Sequence, residues 1–391
     1  MECNFFRRRA LACVTKAALF STLSLSQHAW ASGWPQSNSN VPIDVNIVAH
    51  EDDDILFMNP DILNSVIAGH RQVTVYLTSG NYRPDDYFFA RARENGAMDG
   101  YAKLLQIADA IKSNKLPSSA NKLANSCANF SSPLSDNPGM VHWNVMPLQF
   151  GNFTATVAAT EGPNNEGASQ DPYFMHPEVT LVFLRIDSSR DTGGSPVEFD
   201  LQNKDYGTKY GNLSELWRGA INTVYTSDGS ATYTNAQLTD AIAAILAYES
   251  PSVVRTQDSL NPYVVDGPTA KQVVLSPGGP FPYDHSDHYY GALFARQGLS
   301  EYLANNNGAK PAYWIYTGYS IDVPGKLGVQ TLSTQDWCFK KTVDYYYGLN
   351  DPAVSFQTLQ QFGGGFTGYP FVVFDYNWLH HQLPVAGTLP Q

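Results

Sequence analysis

Short apolar blocks alternate with longer amphipathic stretches along this chain. Val45–Ala49, Val73–Thr78, Val179–Ile186, Ser252–Thr256, Trp314–Tyr319 and Phe371–Phe374 are brief and rich in β-branched or aromatic residues. Each reads as a strand. Between them, apolar residues recur at helical spacing. The stretch from Asp86 to Ile111 carries Ala90, Ala97, Tyr101, Leu104, Leu105 and Ala108 in that pattern. Further helices are predicted over 238–248, from His285 to about Leu303, and over 335–346. Asn59-Pro60-Asp61 marks a helix start, with Asn as cap and Pro in the first turn. Thr234 and Gln237 have the spacing of a capping box, and Pro251 ends the helix it opens.

Strands and helices alternate at βα spacing, which predicts an α/β fold: a Rossmann-like, mostly parallel β-sheet flanked by helices. Residues 115–177 break the rhythm. They are rich in Asn, Ser, Gly, Pro and Thr, and read as a loop-rich insertion with room for one hairpin. Residues 32–391 are expected to form a single domain. The usual phosphate-binding and nucleophile-elbow motifs are absent from the sequence: no GxGxxG follows the first strand, and there is no GxxxxGK[ST] or GxSxG.

The N-terminus has a different character. Arg7, Arg8 and Arg9 precede an apolar stretch from Ala17 to Leu25, and Ala29-Trp30-Ala31 supplies small residues at a cleavage position. This is the layout of a secretory signal peptide over 1–31, and it predicts a periplasmic or secreted protein. The apolar run is too short to span a membrane. Removing these residues takes away three Arg, one Lys and one Glu, and the net charge moves from −12 to −15. Such a balance argues against nucleic-acid binding, which needs clustered Lys and Arg. Cys3 and Cys13 leave with the leader. Cys127 and Cys338 remain, and export makes a disulfide between them the expected state. Neither has a CxxC partner, so a cysteine metal site is not expected.

The chemistry concentrates at two places. His50-Glu51-Asp52-Asp53-Asp54 follows the first strand. Four consecutive carboxylates repel one another and call for a cation or for solvent. Imidazole and carboxylate are good zinc ligands; in a turn, His50 and Asp53 can converge on one ion while Asp52 points elsewhere, free to handle a proton. The second place is His285-Ser286-Asp287-His288, on the loop after the fourth predicted strand. Histidines at i and i+3 share one face of a helix start. In open α/β sheets, sites lie outside the carboxyl ends of strands. Both clusters are predicted there. Together they match a metal site of two histidines and one carboxylate, with an open position for water.

These two motifs, in this order, resemble those of the LmbE/PIG-L family of metal-dependent de-N-acetylases. Ala49-His50-Glu51-Asp52-Asp53 stands against the family's Ala-His-Pro-Asp-Asp, with Glu51 in place of Pro. His285-Ser286-Asp287-His288 stands against its His-Pro-Asp-His, with Ser286 in place of Pro. Softer matches are Leu77–Gly80, Arg91 and Glu94 with Ala97, and Pro251–Thr256. The resemblance implies roles residue by residue. His50, Asp53 and His288 would hold Zn2+ or another divalent metal, and Asp52 would be the general base. His285 would stabilise the oxyanion or protonate the leaving amine, Asp287 would orient His285, and Tyr283 is a further candidate near the substrate carbonyl. Arg91 and Glu94 read mainly as a structural pair.

The implied activity is hydrolysis of an N-acetyl group on an amino sugar such as N-acetylglucosamine, in a glycan or glycoconjugate. The aromatic, Asn-rich insertion would suit a wall for such a ligand. A zinc amidase acting on a non-sugar N-acyl compound and a non-catalytic secreted carbohydrate-binding protein are the other two readings. Neither a membrane span nor a nucleic-acid partner is expected, and the sequence does not indicate an oligomeric state.

Overall fold

β1 (Ile43–Val48) is buried at every position, as befits a strand covered on both faces of a parallel sheet. The computed structural model describes residues 40–81, 87–113, 141–150, 153–160, 178–188, 211–261, 284–322, 329–351, 381–382 and 384–390. After β1 a tight turn leads into two short helices, α1 (Asp53–Phe57) and α2 (Asp61–Ile67). β2 (Arg71–Thr78) and the long helix α3 (Tyr87–Lys112) follow. Next come β3 (Trp143–Phe150), β4 (Phe153–Thr160) and β5 (Val179–Ile186). α4 (Leu213–Trp217) precedes a small ribbon of β6 (Val224–Tyr225) and β7 (Thr232–Tyr233). Then come α5 (Asn235–Glu249), β8 (Val253–Gln257), α6 (Ser286–Asn305) and β9 (Ala312–Tyr316). β10 (Gln330–Thr331), α7 (Thr334–Gly348), β11 (His381–Gln382) and β12 (Pro384–Ala386) complete the described chain.

The main sheet has eight strands in the order β12-β9-β8-β1-β2-β5-β4-β3. The central five, β9-β8-β1-β2-β5, are parallel, and the strands added at both edges are antiparallel. The period-2 alternation of side chains divides the core in two. Val45, Ile47, Val73 and Val75 face α5 and α6, where Leu238, Ile242, Phe294 and Leu299 meet them. Val48 and Tyr76 face the other way, towards Ala97, Tyr101 and Leu104 of α3 and Val343 and Tyr347 of α7. The sheet is thus flanked by helices on both faces, the α/β arrangement expected from the sequence.

The capping box at Thr234 forms as predicted, with Gln237 answering the Thr234 backbone. The hairpin for which the insertion left room forms as β3–β4 and extends the main sheet beyond β5. Two expectations change. The strand expected over Trp314–Tyr319 ends at Tyr316, and a 3-10 turn takes Tyr319–Asp322. The acidic pentad is not all turn, because Asp53 and Asp54 open α1. Cys338 is buried in α7 and disulfide-bonded. Its expected partner Cys127, the leader 1–31 and the strand over 371–374 lie outside the described residues. No helix among the described residues is long and apolar enough to cross a membrane.

Candidate metal centre

β1 lies between β2 and β8, so the chain leaves the sheet in opposite directions on its two sides. The cleft at the carboxyl end of β1 is the usual ligand site of such a sheet. His50 sits in the turn at that point. Its backbone N–H donates to Asp53 Oδ2 at 2.7 Å, which folds the turn back on itself. Asp53 is the first residue of α1 and is fully buried.

The second cluster arrives from α6. His285 caps the helix, its Nδ1 accepting the Asp287 backbone N–H at 3.1 Å. That assigns the ring proton of neutral His285 to Nε2. Asp287 and His288 occupy the buried first turn. His288 Nε2 lies 3.3 Å from His50 Nδ1 and 2.9 Å from Asp53 Oδ1, and His50 Nδ1 lies 3.4 Å from Asp53 Oδ2. The His285 ring stands edge-on to His50 with centroids 4.5 Å apart.

Three donor groups therefore converge from two parts of the chain 238 residues apart. Ligands about 2.0–2.2 Å from a tetrahedral zinc ion stand about 3.3–3.5 Å from one another. The His50–His288 separation falls there, and Asp53 approaches the two rings through different oxygens, Oδ1 on the His288 side and Oδ2 on the His50 side. Asp53 Oδ1 is buried without a hydrogen bond of good geometry despite its closeness to His288. The far side of each imidazole is also occupied. Asp287 Oδ2 is 3.3 Å from His50 Nε2, and Asp284 Oδ1 is 2.6 Å from His288 Nδ1. A carboxylate behind a histidine directs the ring's other lone pair forward, as in metal sites. The residues present fit a divalent metal held by His50, Asp53 and His288. His285 and Asp52 also lie close, each within 4.8 Å of the ligand atoms in its group.

The electrostatics agree. Burial disfavours the His50 and His288 cations, but the charge and hydrogen bonds of Asp53, together with Asp287 for His50 and Asp284 for His288, outweigh it. His50 is raised well above the usual histidine range and His288 to about 9. Asp53 is driven well below the usual carboxylate range: burial opposes ionisation, and the two imidazoles overcome it. The pocket attracts positive charge.

Asp52 faces another partner. Its Oδ1 accepts a 2.6 Å hydrogen bond from Arg93 Nη2 of α3. Burial raises the Asp52 pKa, and the Arg93 charge holds it back. Arg93 Nε also reaches Tyr347 Oη at 2.9 Å, Asp351 at 3.2 Å and Glu51 at 3.4 Å, and its Nη1 donates to the Gly80 carbonyl. Glu51, buried at the position where the resembled motif has Pro, is pushed up to about 8 by desolvation despite Arg93. Nothing in the sequence singles out Arg93 from its neighbours. Arg91 and Glu94, which read as a structural pair, do pair at 2.7 Å, but Glu94 also takes a two-pronged contact from Arg185. For Asp284 the only signal in the sequence is one further carboxylate directly before His285.

Asp287 makes two contacts of different kinds. Its carboxylate bears on His50, whereas its backbone N–H serves His285, whose Nδ1 is 4.0 Å from the Asp287 carboxylate. Tyr283 lies outside the described residues. His70 follows α2, and its Nδ1 lies 2.8 Å from Asp44 Oδ1 of β1.

No family model matches the chain, and no curated protein does. Solved structures that resemble the chain include three at low identity. One is 4-carboxy-2-hydroxymuconate hydratase from Pseudomonas putida, with 10% identity, TM-score 0.37, and 90% of this chain and 99% of the other covered. Another is N,N'-diacetylchitobiose deacetylase from Pyrococcus horikoshii, with 11% identity, TM-score 0.35, and 91% and 96% covered. The third is a zinc-inhibited form of teicoplanin deacetylase, with 10% identity, TM-score 0.31, and 81% and 85% covered.

Proposed function

We propose that this protein is an exported, metal-dependent hydrolase that removes an N-acetyl group from an amino sugar such as N-acetylglucosamine. The observation that carries the metal reading is the convergence of His50 Nδ1, His288 Nε2 and the Asp53 carboxylate, with a carboxylate behind each ring. The substrate class rests on the two sequence motifs, and export on the leader-like 1–31 segment.

The metal, when bound, supplies a Lewis acid and a water acidified towards neutrality. The remaining work falls to the chain. Asp52 is held by Arg93 through Oδ1, which leaves Oδ2 to accept a proton. His285 presents Nε2–H beside the cluster, where it can donate to a developing oxyanion and then protonate the amine. Departure of the amine requires that proton, since an amide anion is too basic to leave.

Two measurements test the proposal. Elemental mass spectrometry should find about one divalent metal per chain in the wild type and little in His288→Ala. Acetate release should then be seen with N-acetylated amino sugars and not with acyl amino acids. Release from acyl amino acids alone would make the protein a different amidase. Metal without turnover on either panel would point to a binding protein, and no metal would remove the whole reading.

A further inference from the structure

We infer that Asp284 is a positioning residue for the metal centre, tying the affinity of His288 for metal to Asn261, just past β8, and to the loop after β9, none of whose residues is a ligand. The inference rests on the metal reading above. Asp284 immediately precedes the His285–His288 motif and is buried. Its Oδ1 is 2.6 Å from His288 Nδ1 and 3.1 Å from the His285 backbone N–H. Its Oδ2 accepts from Asn261 Nδ2 at 2.7 Å, from the Gly318 backbone N–H at 3.1 Å and from Ser320 Oγ at 3.2 Å. Asn261 lies beyond β8, and Gly318 and Ser320 lie beyond β9. Asn261 Nδ2 also bonds Ser320 Oγ at 2.6 Å, which links Asn261 directly to the loop after β9.

This arrangement has a specific consequence. Ionised Asp284 is acceptor-only, so the proton on neutral His288 resides on Nδ1 and the Nε2 lone pair faces Asp53 and His50. A carboxylate with several donors along one edge cannot swing, and so the ring cannot turn. Space enforces the same geometry. A Cβ on Gly318 would stand 2.3 Å from Asp284 Oδ1 and 2.7 Å from His288 Nδ1. Glycine at 318 admits the carboxylate–imidazole pair, and a larger residue must displace it. Tyr319, next in the same loop, stacks on the His288 ring with centroids 5.3 Å apart. The β9 loop thus fixes His288 both through Asp284 and directly by ring packing.

The experiment is zinc affinity of purified protein by competition with a chromogenic chelator, with the cobalt-substituted visible spectrum as a second readout. Asp284→Asn keeps the shape and removes the charge. Zinc binding should weaken about 10- to 100-fold, the usual loss for an outer partner of a metal-bound histidine. The cobalt bands should shift, while the melting temperature in excess chelator stays near that of the wild type. Gly318→Ala should weaken zinc binding in the same direction with Asp284 still present. If Asp284→Asn does not fold, Asn261→Ala replaces it, with an expected loss of several-fold. Wild-type zinc affinity and an unchanged cobalt spectrum in the folded variants would overturn the positioning role while leaving the metal site intact. A wild type that binds no zinc would instead overturn the metal reading itself.

Discussion

Arg93 Nη2 on α3 stands 2.6 Å from Asp52 Oδ1 at the carboxyl end of β1. That one contact connects the long helix to the residue assigned the proton-accepting role. It also places a single guanidinium among the carboxylates of Glu51, Asp52 and Asp351. Burial opposes the Arg93 cation, yet the surrounding negative charge, that of Asp52 foremost, keeps its pKa well above the usual arginine value.

Removing that cation should be costly. Arg93→Gln leaves buried acids without a counter-charge, and unfolding by urea should show a loss of about 3–5 kcal/mol. Arg93→Lys keeps the charge but loses the planar fork. It should fold and bind metal, with turnover reduced through a misplaced Asp52.

Gly80 makes room for the same side chain. It has φ +54°, and a Cβ there would stand 1.9 Å from Arg93 Nη1. Gly80→Ala meets both a backbone and a steric penalty, and should cost about 1–3 kcal/mol. A denaturation midpoint equal to that of the wild type would show that Arg93 relocates without penalty.

Asp52→Asn and His288→Ala should part company. The first should retain metal and lose at least about 100-fold in turnover, the scale of a lost general base. The second should lose metal and activity together. Metal content and acetate release measured on the same preparations distinguish the two.

Asp54 gives a pH signature in the metal-free protein. It is fully buried and accepts from Tyr101 Oη at 2.6 Å and Tyr76 Oη at 3.1 Å. Burial raises its pKa from 3.8 to about 7, with the tyrosine hydrogen bonds resisting. The folded state therefore binds a proton that the unfolded state has released over that interval. The sign follows: the contribution is most favourable below 3.8 and is lost as pH rises through about 7. Asp54→Asn should lose that dependence. Across the window, its stability should gain on that of the wild type by up to roughly 1.4 kcal/mol per pH unit. Parallel stability–pH curves for the two proteins would overturn the assignment.

Much of this protein was legible in the linear pattern because the pattern reports local physics. Runs of apolar β-branched residues mark β1, β2, β5 and β8, although polar side chains such as Asp44, Asn46, Arg71, Gln72 and Arg255 are buried among them. Thr234 and Gln237 announce a helix start through contacts three residues apart. His50, Asp53, His285 and His288 stood out because strand ends are where such a sheet leaves side chains free to converge. A hairpin in the insertion was legible, but its place was not, because β4 joins the sheet only through β5, a partner distant from any local pattern. Tertiary structure alone decided which charges meet. Nothing local links Arg93 to Asp52, 41 residues away, or Asp284 to Asn261 and Ser320. Those pairings arise because α3, α7, Asn261, Asp284 and Gly318–Ser320 meet near the carboxyl end of β1. Burial there makes an unpaired charge too costly to leave.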